Sequence, residues 1–135
     1  MIMANAMYNA AKEDYLGGVR AFDTDAIRCV LVDTGVYAFN AAHTSYDALA
    51  GAVVGSESGL FTTKTITGGV ANAADITFTA VTGVTVEAIV VFYDSGLSST
   101  DTLLCYIDSA TAGLPVTPNG TDIAITWNAS GIFAI

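Results

Sequence analysis

The chain predicts a mainly β fold, a β-sandwich or jelly-roll-like domain with one N-terminal α-helix, on three observations. Only one stretch, near the start, places apolar residues at helical spacing. After Gly18 the apolar residues either alternate or gather in short blocks of strand length. Between the blocks stand turn signals such as Gly68-Gly69, Thr82-Gly83 and Pro118-Asn119-Gly120. Six to eight short strands joined by turns are the pattern of two packed antiparallel layers. The 135 residues read as one domain, 1–135, with 1–18 as a helical arm, long enough to bury a core without staples.

The helix is expected over Asn5 to Leu16, with Met7, Ala11 and Tyr15 on one stripe and Tyr8 and Leu16 beside it. Asn5 is a suitable N-cap, and Gly17-Gly18 is a stop, because glycine takes the left-handed C-cap conformation cheaply. Ala26 to Asp33 reads as a strand with Ile27, Cys29 and Leu31 on one face and Val30 and Val32 on the other. Apolar residues on both faces predict a central strand covered on both sides. Val36 to Asn40 would continue it after an Asp33-Thr34-Gly35 turn. From Ala41 to Gly59 no period holds, and such a loop is an expected functional or interface segment.

Further strands are expected over Phe61–Thr67 and over Asp75–Val81, the latter with Ile76, Phe78 and Ala80 facing in. Val84–Tyr93 and Thr102–Asp108 should form a hairpin, followed by Asp122–Trp127 and Gly131–Ile135. Phe78, Val90, Phe92, Ile107, Ile125 and Trp127 are the expected members of a single core.

Composition narrows the function. Charged residues make up 13% of the chain, with 13 acidic against four basic residues, a net charge of −9 and a mean hydropathy of +0.56. A typical soluble domain is about a quarter charged. Lys12, Arg20, Arg28 and Lys64 stand singly, which argues against nucleic acid and against an anionic membrane surface, since both need clustered cations. No apolar run is long enough to cross a bilayer. The first residues carry neither the cationic start nor the apolar core of a secretory signal, and translation could begin at Met1 or at Met3. Apolar surface in excess of what a monomer can hide points to assembly with other proteins or with itself as a homo-oligomer.

Candidate chemistry is sparse. His43 is the one imidazole, with Ser45 and Asp47 nearby, but no GxSxG elbow accompanies it. Asp23 and Asp25 offer too few oxygens for calcium. Cys29 and Cys105 lack metal-ligand spacing and read as buried thiols. The glycine-rich stretches match no phosphate loop, and the two Asn-x-Thr/Ser matches stand without a secretory context. Glu87, a lone charge in an apolar run, suits an edge guard or a partner contact. No catalytic, cofactor or metal residue is therefore expected. Contacts are expected from Tyr46, Leu49, Val53 and Val54 in the loop, from Met7, Tyr8 and Tyr15 on the helix, and from Glu87.

Several segments together carry a likeness. They are Met3-Ala4-Asn5-Ala6-Met7-Tyr8-Asn9, Asp23-Thr24-Asp25-Ala26-Ile27 leading into Val30-Leu31-Val32-Asp33-Thr34, and Lys64-Thr65-Ile66-Thr67-Gly68-Gly69-Val70. Asp75 to Gly83, Val86-Glu87-Ala88-Ile89-Val90 and Tyr106-Ile107-Asp108 continue it. Gly113 to Gly120 with Ile123-Ala124-Ile125-Thr126-Trp127 is its most specific piece. In this order they resemble small virion structural proteins of tailed bacteriophages, with a departure between Tyr37 and Phe61.

That resemblance implies a non-enzymatic particle component, with no catalytic residues to carry over. The expected role is a capsid decoration (cement) protein on the head surface, partnered by the major capsid protein and assembled in the host cytoplasm. A tail or head–tail connector component is the alternative within the class. A small carbohydrate- or ligand-binding β-module, stacking a sugar on Trp127 and the tyrosines, is the alternative outside it.

Overall fold

The computed structural model describes residues 6–108 and 114–134. It is mainly β, with three antiparallel sheets and one short helix. The largest sheet has five strands in the order β1-β8-β7-β2-β3. These are β1 (Ala6–Met7), β2 (Ile27–Val32), β3 (Val53–Val54), β7 (Ala88–Tyr93) and β8 (Thr102–Ile107). A second sheet runs β10-β5-β4, from β4 (Thr65–Thr67), β5 (Val70–Asn72) and β10 (Phe133–Ala134). A third pairs β6 (Ile76–Phe78) with β9 (Ile123–Ile125). The helix α1 spans Asn9–Leu16.

Strands β2, β7 and β8 bury nearly every residue because both of their faces are covered. On one face, Ile27, Cys29, Leu31, Ile89, Val91 and Ile107 meet Ala71, Phe133, Phe78 and Ile125 from the other two sheets and Trp127 just beyond β9. On the opposite face, Val30, Val32, Val90, Phe92, Leu103 and Tyr106 are covered by Tyr8, Tyr37, Leu49 and Ala52. The β7–β8 register shifts between Val91 and Phe92, so Leu103 pairs with Phe92 and Cys105 with Val91. Leu104 is thus the extra residue of a bulge. It joins the first core beside Cys105, and its carbonyl accepts the Tyr8 N–H at 3.1 Å.

The expected core residues are all buried, but in two cores: Phe78, Ile107, Ile125 and Trp127 in one, Val90 and Phe92 in the other. A period of two sends successive residues of one strand to opposite faces, so a doubly covered strand must feed both. The predicted two-faced character of β2 is what the structure has.

Other expectations are corrected. The helix starts at Asn9, after Ala6 and Met7 have paired with Tyr106 and Cys105. Asn5, the expected cap, lies outside the described residues, and Tyr8 in extended conformation precedes the helix. Leu16 is not on the packed stripe but 79% exposed.

Val36 to Asn40 forms no strand. The Asp33 carbonyl accepts from both Val36 and Tyr37, and its carboxylate accepts from Gly35, which closes a turn. Phe61–Thr67 is strand only at Thr65–Thr67, and β5 and β3 are additional. Ala80 turns outward at φ 49°, its N–H held by the Asp122 carboxylate. Asp122–Trp127 narrows to Ile123–Ile125, and of the last strand Phe133–Ala134 is described.

Candidate interaction surfaces

The second face of the large sheet owes its cover to the region that seemed spare in sequence. Tyr46–Leu49 makes a single 3₁₀ turn, and Val53–Val54 pairs with Val32 and Leu31. Leu49 is fully buried in the second core, where Tyr46 and Val53 are half-buried against it, while Val54, paired with Leu31, turns into the first core and is nearly buried there. Tyr46 stacks edge-on against Phe92, centroids 4.9 Å apart, and burial pushes its phenol up to about 12. The expectation of a free loop surface at Leu49 and Val54 is therefore corrected. A sheet face rich in valine has to be covered, and this segment covers it.

His43 belongs to that cover. Its Nδ1 lies 2.8 Å from the Tyr37 hydroxyl, which lies 2.8 Å from the Tyr8 hydroxyl. With the imidazole proton on Nε2, Tyr37 donates to Nδ1 and accepts from Tyr8, and all three groups are satisfied. Burial, then the Tyr37 hydroxyl, raises the Tyr8 phenol far above its usual value. Tyr8, expected on a contact stripe, is instead fully buried and ties the start of α1 to the segment beyond β2. Tyr37 is the residue that links them, and nothing in its sequence context marked it.

Glu87 sits just before β7. Its Oε1 accepts from both the N–H and the hydroxyl of Thr34, at 3.1 and 3.2 Å, clamping the turn after β2. Asp25 accepts from the Ala21 N–H and meets Arg20 at 3.6 Å, while Arg20 also pairs with Asp14 and lies 3.7 Å from the Tyr93 ring centroid. Arg28 donates to Asp94 at 2.7 Å and to the Ser58 carbonyl at 2.9 Å. Both arginines are thus engaged within the chain.

Cys29 and Cys105 are free and buried, and burial pushes each thiol up to about 12. They sit on strands separated by β7, with Val91 between them in register. Two strand spacings, about 10 Å, are too far for a disulfide. Among the described residues no group of three or more His, Cys, Asp or Glu is placed to hold a metal. No helix among them is long and apolar enough to cross a membrane.

Two concave surfaces stand out among the described residues. A groove of about 640 Å³ runs between β1 and β10, lined by Met7, Lys12, Phe39, Ala41, Ile132 and Phe133. A cleft of about 340 Å³ lies over the three-stranded sheet, where Ile66, Ala71 and Phe133 form one cross-strand row and Tyr15, Phe22 and Asp23 form the rim. Tyr15 packs on Phe133, and its buried hydroxyl has no hydrogen-bond partner among the described residues. Of the residues expected at contacts, Met7 thus reaches the groove and Tyr15 the cleft. Ile66, 53% exposed on an outer strand, was missed. Its signal was a β-forming Thr-Ile-Thr run closed by two glycines.

No family model matches this chain, and no curated protein matches it significantly.

Proposed function

We propose that the chain is a non-enzymatic structural protein of a tailed-bacteriophage particle, a decoration protein seated on the outside of the head against the major capsid protein. Its likeness to small virion proteins, set out above, names the particle. The character of the described surface carries the assembly role. Leu16, Val19, Val36, Val84 and Leu97 are each more than half exposed, while both arginines are spent on internal carboxylates. Such a surface offers acidic and apolar groups to a partner and has little to offer a phosphate backbone. We read the three sheets as a sandwich, the five-stranded sheet forming one layer and the two small sheets the other, because residues of all three share the first core.

The sugar-stacking alternative draws no support from Trp127. Its ring is buried against Phe61, and its Nε1–H donates to the Ala74 carbonyl at 3.0 Å. The deciding experiment is quantitative mass spectrometry of purified particles. Copies in proportion to the capsid protein are expected. A handful per particle would move the protein to a vertex, connector or tail, and its absence from purified particles would overturn the proposal.

A further inference from the structure

The three-stranded sheet ends at β4, and what that edge presents can be worked out from the pairing. Gly68 and Gly69, at φ 60° and 78°, make the two-residue turn between β4 and β5. A two-residue hairpin closes on a hydrogen-bonded pair, here Thr67 with Val70. Pairs alternate, so Ile66 and Ala71 do not bond to each other. The Ala71 carbonyl is indeed engaged on its other side, accepting the Ile132 N–H at 2.8 Å. Ile66 therefore turns both its N–H and its C=O away from β5, to the open edge. All three β4 residues are exposed, and no strand among the described residues pairs with that side.

Natural proteins blunt such edges with proline or an outstretched lysine. Here no proline is present, and the one nearby lysine is folded back. The Lys64 ammonium donates to the Asp25 carbonyl and lies 6.0 Å from the Phe22 ring centroid. We propose that β4 is a homodimer edge. Two copies align Thr65–Thr67 antiparallel about a two-fold axis at Ile66, joining their three-stranded sheets into one of six strands.

The segment is self-complementary in that register. Ile66 exchanges both backbone bonds with Ile66 of the other copy, and their side chains meet at the mouths of the two clefts. Thr65 falls opposite Thr67, a favourable cross-strand pair, on the opposite face. Lys64 falls opposite Gly68, next to Gly69, which lines the cleft together with Asp23. Asp23 is exposed and has no ion-pair or hydrogen-bond partner among the described residues. The axis thus brings each Lys64 alongside the turn that carries the other copy's Asp23, and its ammonium, which keeps two N–H donors beyond its bond to the Asp25 carbonyl, makes an opposite-charge contact there once on each side of the axis. Symmetric association of this kind closes as a dimer and does not propagate. Its short strand predicts a weak, concentration-dependent one.

This inference goes beyond the particle assignment, and its test in solution needs no particle. Sedimentation equilibrium of the full chain in about 0.3 M salt, where the charge on each copy is screened, should show a mass rising with concentration from 13.8 kDa towards twice that value. Ile66→Pro removes an outward N–H and no β4–β5 bond, so it should fold and hold the monomer mass throughout. Asp23→Lys, at an exposed turn, should weaken association at least tenfold and keeps the proposal testable if the proline variant does not fold. Wild type that stays monomeric throughout, or an Asp23→Lys or folded Ile66→Pro protein that dimerises as wild type does, would overturn it.

Discussion

The two faces of the five-stranded sheet are equally buried and differently built. The first is aliphatic and meets other strands: Ile27, Cys29, Leu31, Ile89 and Val91 lie under Phe78, Ile125 and Trp127. The second meets irregular chain. Val30, Val32, Val90 and Phe92 lie under Tyr8, Tyr37, Leu49 and Ala52, with Phe39 and Tyr46 packed alongside. Strands carry their backbone hydrogen bonds with them, so the cover of the first face needs few side-chain bonds. Irregular chain has to find partners for its polar groups, and the second face accordingly holds the Tyr8–Tyr37–His43 hydroxyl chain. Burial alone does not say which kind of layer does the burying.

The comparison would break if the irregular cover were dispensable. Trp127→Ala, in the first core, should cost about 3–5 kcal/mol. Leu49→Ala, in the second cover, should cost about 2–4 kcal/mol, because the side chain is fully buried and leaves a cavity. Urea titrations followed by circular dichroism measure both. A near-neutral Leu49→Ala would mean that the segment over the second face is detachable, and its residues would return as candidates for contact with a partner.

How far the sequence carried the fold follows the same division. The three central strands were legible because a doubly covered strand is apolar at nearly every position, as in Ile27 to Val32, where Arg28 near the strand end is the exception. The cover of the second face was not. Tyr37, Leu49 and Ala52 are set by where the chain is led after the Asp33 turn, which is a tertiary matter without a local period. β1, β3 and β5, of two or three residues each, are held by pairing, and no propensity sum over so few residues could have found them. Of the expected contact residues, Leu49, Val54 and Tyr8 looked available only because their cover was invisible. Ile66 was legible only as part of a strand, since its exposure depends on which strand happens to be last in its sheet.

A sharper comparison sets the hydroxyls against the packing. Tyr37→Phe strands the fully buried Tyr8 hydroxyl and should cost about 1–3 kcal/mol. Tyr8→Phe removes the buried hydroxyl outright and leaves Tyr37 its bond to His43, so it should cost less. His43→Ala should cost least, because His43 is the partly exposed end of the chain and water can reach the Tyr37 hydroxyl through the space it leaves. That ordering distinguishes a satisfied polar network from plain aromatic packing, in which the three variants would not be ranked by what each leaves unpaired.

The smallest expected effect lies where the second face runs out. Arg28 follows the same alternation as Val30 and Val32, but its position near the strand end lets its guanidinium reach Asp94 and the Ser58 carbonyl. The side chains of Arg28 and Asp94 remain 29% and 23% exposed, so water screens much of the attraction. Asp94→Asn should therefore lower stability by only about 0.5–1 kcal/mol at neutral pH. The hydrogen bond from Arg28 holds the Asp94 carboxyl below its usual range. A carboxylate depressed by folding contributes in full above its unfolded value of about 3.9, and the contribution drains away as pH falls through the lower folded value. Thermal melts of wild type and Asp94→Asn should differ by a small, constant amount above about pH 5 and converge in strong acid. A difference that survived there undiminished would assign the loss to the fit of the amide in the turn after β7, and the ion pair would no longer mark the end of the second face.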